Sequence, residues 1–293
     1  MKAFIKYLVI VISTIVVGLY VIDKLYTYVY TKNISNNPRN KTQYVLGLKD
    51  KKIDYIFLGS SRVENHINTK LVEELTGKSA LNLGSQGGRL SDVYIYLKLL
   101  QEQGVVVEKF FIQVDYVFNM HGPSILVGSD VLPFVNNKIV EEHIKENNED
   151  YVFIKYVPFY KYATLDYKYG FREFFNSLIN KKPRIDFSDG FDPRFDKYKQ
   201  SDLSLPDIVV KTSPDFNKIN TFCIQNNIEV VYFTAPFCSE ANNLDYIKKL
   251  KTKIPMLKDY SRAFSNDSLY FIDCGHLNNI GANEFTKMLI NDL

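Results

Sequence analysis

An α/β fold, with a parallel sheet covered by helices on both faces, is what this sequence predicts. Three observations predict it. A short apolar run at 55–58 stops at a glycine, as a buried parallel strand does, and strand-like segments rich in apolar residues recur at 80–83, 105–114, 229–234 and 269–272. Segments with helical spacing and end signals alternate with these runs, which is the βαβ rhythm of such a sheet. The chain is 293 residues long and 46 % hydrophobic, enough for one large domain or two small ones.

The first element is different in kind. Residues 7–22, YLVIVISTIVVGLYVI, carry no charge. With residues 3–5 the apolar stretch reaches about 20 residues, interrupted by Lys6, whose stem allows its charge to reach the interface. Tyr7 and Tyr20 stand where interfacial aromatics belong. A cleaved signal peptide needs a small-residue site after the apolar core, and Val21-Ile22-Asp23-Lys24-Leu25 has none. Residues 1–24 are therefore expected to be an uncleaved membrane anchor. Lys2, Lys6 and the short head favour a cytoplasmic N-terminus, against Lys24, Lys32, Arg39 and Lys41 beyond the span. The rest of the chain is then extracytoplasmic. Residues 25–50 read as a juxtamembrane linker, with NISNNPRNK at 33–41 as its loop.

The α/β domain is expected over 51–293. Its first strand, 55–58, runs into Gly59-Ser60-Ser61. Asn68 caps a helix that Gly77 stops. The second strand, 80–83, ends at Gly84. Ser91 is the expected cap of the helix that runs to Gly104, and 105–114 holds the third strand. After a long break, Pro214 opens a helix with Phe216, Ile219 and Ile224 facing inward. Residues 229–234 form the fourth strand, 243–253 a helix, 269–272 the fifth strand and 281–293 the closing helix. The break, about 120–205, is rich in aromatics, among them Tyr151, Phe153, Tyr156, Phe159, Tyr160, Tyr162, Tyr167, Tyr169, Phe171, Phe174 and Phe175. It reads as a partly helical insertion, either roofing the sheet edge or forming a small core of its own.

Composition excludes some classes of partner. A net charge of +3 with no dense Lys/Arg block gives no case for nucleic acid. Three cysteines, Cys223, Cys238 and Cys274, give no disulfide framework; buried free thiols are expected, with one bridge at most. His66, His121 and His143 lack metal-ligand spacing. Asp189-Gly190-Phe191-Asp192-Pro193 reads as a turn rather than a calcium loop. No metal and no cofactor is implied.

Two stretches carry chemistry. A serine at the turn after the first strand sits at the carboxyl edge of the sheet, where parallel α/β folds place their ligands. Ser61 reads as a nucleophile, against the plainer reading of a simple turn. Ser60 takes that place if the turn shifts by one. At the other end, Asp273-Cys274-Gly275-His276 puts a carboxylate three residues before an imidazole. A general base needs a group that orients its ring and stabilises the imidazolium. Arg62 is a candidate for an acidic substrate, or for a salt bridge. Ser85 shapes its loop.

These residues resemble the SGNH/GDSL hydrolase superfamily. The matching positions are Gly59-Ser60-Ser61 in place of Gly-Asp-Ser, Asn82-Leu83-Gly84 as the second glycine block, and Asp273-x-x-His276-Leu277-Asn278-x-x-Gly281. The resemblance covers about 52–119 and 206–293. It implies a three-layer, flavodoxin-like fold with a five-stranded parallel sheet, a Ser61 nucleophile, a His276 base and an Asp273 orienting acid. It also implies an oxyanion hole from the backbone N–H groups of Ser61 and Gly84. The third block, which normally supplies an asparagine, reads Val114-Asp115-Tyr116-Val117-Phe118-Asn119 here; only Asn119 offers that side chain. The chain looks like the membrane-anchored branch that acts in envelope polymer acylation. That branch implies an esterase or acyltransferase on an acylated polysaccharide or related polymer, partnered by a membrane acyl-export protein. A catalytically silent binding or assembly subunit of such a system is the alternative.

Overall fold

The structure is a computed structural model and describes residues 1–34, 37–164, 170–265 and 267–292. In chain order it contains α1 (Lys2–Thr31), α2 (Lys41–Gly47), β1 (Lys52–Leu58), α3 (Ser61–Glu64), α4 (Thr69–Thr76), β2 (Ala80–Asn82), α5 (Leu90–Glu102) and β3 (Val106–Gln113). Then come α6 (Ile125–Val131), α7 (Lys138–Asn147), α8 (Tyr151–Tyr156), α9 (Tyr160–Ala163), α10 (Phe171–Leu178), α11 (Pro214–Gln225) and β4 (Glu229–Thr234). The chain finishes with α12 (Asp245–Lys253), β5 (Lys258–Asp259), β6 (Phe271–Asp273), β7 (His276–Leu277) and α13 (Asn279–Asn291). Two compact units share these elements: Met1–Gln43 with Gly128–Pro183, and Tyr44–Val127 with Arg184–Leu293.

The larger unit is built on a five-stranded parallel sheet in the order β2-β1-β3-β4-β5. Side chains alternate across it with period two. Tyr55, Phe57, Phe111 and Phe233 point to one face, where they form a core with Val72 of α4 and Phe285 and Leu289 of α13. Phe57 stacks on Phe111 at 4.5 Å. The intervening residues Ile56, Phe110, Ile112 and Tyr232 are equally buried on the other face, and Phe216 of α11 packs on Tyr232 there. Both faces are covered, so the strands read as continuous apolar runs rather than alternating ones.

The expected caps of α4 are present. Asn68 Oδ1 accepts from Leu71 N, and Gly77 adopts φ +69°. At α5 the expectation fails: Arg89, not Ser91, occupies the cap position, and Asp92 reaches back to the Arg89 N–H at 2.9 Å. In α11, Ile219, Phe222 and Cys223 are buried while Ile224 is exposed, because its position falls outside the inward stripe. The largest correction concerns the fifth strand. Lys258–Asp259 pairs with β4 in the sheet. Residues 269–272 are expected there; instead Leu269 and Tyr270 lie in a 3-10 turn, and Phe271–Asp273 form a separate antiparallel ribbon with His276–Leu277. The closing helix starts at Asn279 behind an Asn278 cap.

The smaller unit joins α1 to most of the expected insertion. α1 runs to Thr31, so the helix continues well into the stretch expected as a linker, which also contains α2. Val29, Tyr30, Tyr162 and Phe174 form a core, with Tyr26 and Phe159 packed against it. Tyr26 stacks on Phe174 at 4.2 Å and meets Phe159 edge-on at 5.1 Å. Asp23 and Lys161 are both buried and paired at 2.6 Å. The insertion aromatics therefore split: Tyr162 and Phe174 are core, whereas Phe153, Tyr156, Phe171 and Phe175 are exposed. Tyr167 and Tyr169 lie outside the described residues, as do Ser35 and Asn36 of the 33–41 loop. The expected tail of the insertion, 184–205, belongs to the larger unit.

Candidate active site

β1 ends at Leu58, and the chain must turn before α3 can begin. Gly59 makes the turn at φ +155°, where a Cβ would lie 2.7 Å from Gln113 Oε1. Only glycine fits there. Ser60 follows as the N-cap. Its N–H and Oγ–H both donate to Gln113 Oε1, at 2.9 and 2.8 Å, and its Oγ accepts from Arg62 N at 3.2 Å. With Ser60 so engaged, Ser61 is the serine that faces the imidazole. Its Oγ lies 2.8 Å from His276 Nε2.

The imidazole comes from the β6–β7 ribbon. Asp273 pairs with His276 across its tight turn, and Gly275 N–H donates to Asp273 Oδ1 at 2.8 Å. His276 Nδ1 lies 3.0 and 3.1 Å from the two Asp273 oxygens. A carboxylate on Nδ1 holds the proton there and leaves Nε2 free to accept from a hydroxyl. Burial alone would raise the Asp273 carboxyl. The His276 ring and the N–H groups of Gly275 and His276 outweigh that and hold it below its ordinary value, so it stays ionised. About a third of each side chain remains open to solvent.

Three devices fix this ribbon to the sheet unit. Cys274, between Asp273 and His276, is disulfide-bonded to Cys238 in the segment after β4, with Cα atoms 4.6 Å apart. This corrects the expectation of free thiols; Cys223 alone is free and buried. His66, one turn beyond α3, accepts the Leu277 N–H on Nε2 at 3.0 Å. Its full burial, with Arg62 and His276 nearby, holds the His66 imidazole well below its ordinary value, so it is neutral. The third device is Arg62. Its Nε donates to Gly275 O at 3.1 Å, its Nη2 to Ala235 O and Pro236 O at 2.6 and 2.7 Å, and its Nη1 pairs with Asp115. The guanidinium stacks over Phe237 at 3.6 Å.

Arg62 is 1 % exposed and spends its donors on protein, so the structure places it as a clamp and not against substrate. Asp115 is fully buried, and Gln113 Nε2 also donates to it at 2.5 Å. A single polar chain thus runs from Ser60 through Gln113 and Asp115 to Arg62. Its charges are opposite and its lone pairs are used, as a buried pair requires.

The two other expected oxyanion donors are not brought to Ser61 in a free state. The Gly84 N–H donates to Asn82 Oδ1 at 2.9 Å. Gly84 is glycine because a Cβ would sit 2.4 Å from Glu64 N. Asn82 Nδ2 in turn donates to Val63 O and Ile67 O at 2.7 and 2.9 Å, tying the end of α3 to β2. Asn119 donates to Ile208 O and accepts from Val210 N and Tyr246 Oη; it pins a loop. The Ser61 N–H has no hydrogen-bond partner among the described residues.

Sequence reasoning passed over Gln113, His66 and the Asn82 side chain. Gln113 and Asp115, polar groups at the end of an otherwise apolar strand, were the available signal, since buried polar groups demand partners. His66, five residues after Ser61, had none. Among the described residues no three His, Cys, Asp or Glu side chains gather as a metal centre needs. No protein-family model matches the chain, and no curated protein matches it.

Proposed function

We propose that this protein is a serine-dependent esterase or O-acyltransferase that acts on a cell-envelope polysaccharide or related polymer through an acyl-enzyme at Ser61. The observation that carries the reading is the 2.8 Å approach of Ser61 Oγ to His276 Nε2 with Asp273 on Nδ1. Ser61 Oγ attacks an ester carbonyl while its proton passes to Nε2. The imidazolium, stabilised by Asp273, returns that proton to the departing alcohol, and the acyl group stays on Ser61. Water or a sugar hydroxyl then gives its proton to Nε2 and attacks the acyl carbon, and the imidazolium returns that proton to Ser61 Oγ as the acyl–Oγ bond breaks. The Ser61 N–H is one donor for the developing oxyanion.

The polymer substrate and the acyl-export partner rest on the SGNH-like residues and on the anchor. The strand order β2-β1-β3-β4-β5 supports a flavodoxin-like member of that group. α1 is long and apolar enough to cross a bilayer, and the Cys238–Cys274 bridge favours an oxidising, extracytoplasmic setting for the rest of the chain.

A second reading, a catalytically silent binding subunit, is favoured by one observation: the Gly84 N–H and the Asn119 amide are both consumed inside the fold. A fluorophosphonate probe separates the two. The full-length protein should be labelled, and Ser61→Ala should remove the label. An unlabelled wild type of intact fold would favour the silent subunit. Labelling that survives in Ser61→Ala would place the nucleophile elsewhere.

A further inference from the structure

α10 turns two different faces outward and inward. Phe174 and Ser177 are buried on the side packed against α1. Phe171, Phe175 and Leu178 fall on the other side at spacings of four and three, and all are exposed, Phe171 by 73 %. Three large apolar side chains on one helical stripe form a patch that asks for an occupant.

Where α10 sits along α1 indicates which one. At 1.5 Å per residue, the apolar stretch up to Ile22 spans about 30 Å, the thickness of a hydrocarbon core. Its 18-residue window is wholly unburied, with mean hydropathy 2.4. Tyr26, which stacks on Phe174, lies four residues beyond Ile22, or about 6 Å along the axis. That is the depth of the headgroup layer, which adds roughly 5–8 Å on each side of the core. Arg172 on α10, Lys24 on α1 and Lys181 and Lys182 just after α10 are exposed cations in the same unit. Aromatic and aliphatic residues flanked by Lys and Arg are the composition of an interfacial helix.

We propose that the Phe171–Phe175–Leu178 face of α10 seats in the headgroup layer of the bilayer that α1 enters, its neighbouring cations meeting anionic lipid. The inference rests on α1 being a membrane span. It does not depend on the chemistry at Ser61. The buried Asp23–Lys161 pair and the Tyr26–Phe174 stack hold α1 and the insertion together at that depth.

The full chain in one-copy nanodiscs of phosphatidylcholine and phosphatidylglycerol tests this. Phe175→Cys and, separately, Val11→Cys are labelled with an environment-sensitive dye; native Cys223 is 2 % exposed and stays unlabelled. The Phe175→Cys label should be quenched several-fold by lipid carrying a shallow nitroxide and protected from aqueous iodide. Iodide quenching without lipid quenching would put the face in water and overturn the proposal. Protection from both would mean that protein covers it, and would overturn it equally. A Val11→Cys label that lipid carrying a nitroxide deep in its acyl chain fails to quench would show instead that α1 does not span. Fluorophosphonate labelling of the same samples should be unchanged.

Discussion

Arg62 follows the proposed nucleophile and yet meets no solvent. It is better seen as the residue that sets the distance between two chain segments more than two hundred positions apart. Its Nε holds the Gly275 carbonyl and its Nη1 holds Asp115, so the serine turn and the histidine turn share one cation. Removing one partner of a buried pair leaves an uncompensated charge, which costs about 3–5 kcal/mol. Asp115→Ala should therefore lower urea stability by that amount, measured by circular dichroism. Asp273→Asn, at a partly open site, should leave stability within about 1 kcal/mol while cutting the labelling rate by about 10³-fold or more. Ser61, Asp273 and His276 stood out in the sequence because each lies within three residues of a glycine at a turn that follows an apolar segment. Arg62 takes the salt-bridge alternative, and the Gly84 and Asn119 donors are spent inside the fold, which the sequence alone does not decide. A letter shows that a donor exists, not whether the fold has already used it.

At the scale of elements, the same limit separates what was readable from what was not. The strands at β1, β3 and β4 and the caps of α4 follow from local chemistry, and the structure has them. The two-residue β5 has no apolar run to announce it. The more apolar 269–272 segment drew the assignment instead, although it pairs with the residues just after it. The start of α5 was misplaced by one cap, and that cap has a titration consequence. Asp92 is buried, and burial raises its carboxyl to about 6 despite the N–H groups of Arg89 and Ser124. An acid raised above its unfolded value near 3.8 stabilises the fold when protonated and loses that contribution as pH rises from about 4 through 6. The rise from 3.8 to about 6 corresponds to about 3 kcal/mol. Asp92→Asn should match the wild type near pH 4 and exceed it in urea midpoint by pH 7. A gap that does not change with pH would exclude this origin.

At the scale of the whole molecule, one covalent link and one interleaving of the chain matter most. The Cys238–Cys274 bridge closes a loop of sequence separation 36, a length for which chain entropy gives about 4 kcal/mol. The double Cys→Ala variant should lose roughly that much in denaturant. Its labelling rate should fall more than that of a Cys223→Ser control, since the bridge holds the turn between Asp273 and His276. The interleaving is this: the N-terminal 43 residues complete their core only with chain that lies beyond residue 127. Anyone trimming the protein for a water-soluble preparation therefore faces a choice of cut. A start at Tyr44 strips Tyr26, Val29 and Tyr30 from Tyr162 and Phe174, and should yield aggregates by light scattering. A start just ahead of Asp23 discards the greasy segment alone, keeps that aromatic nest closed, and should run as a single monodisperse peak.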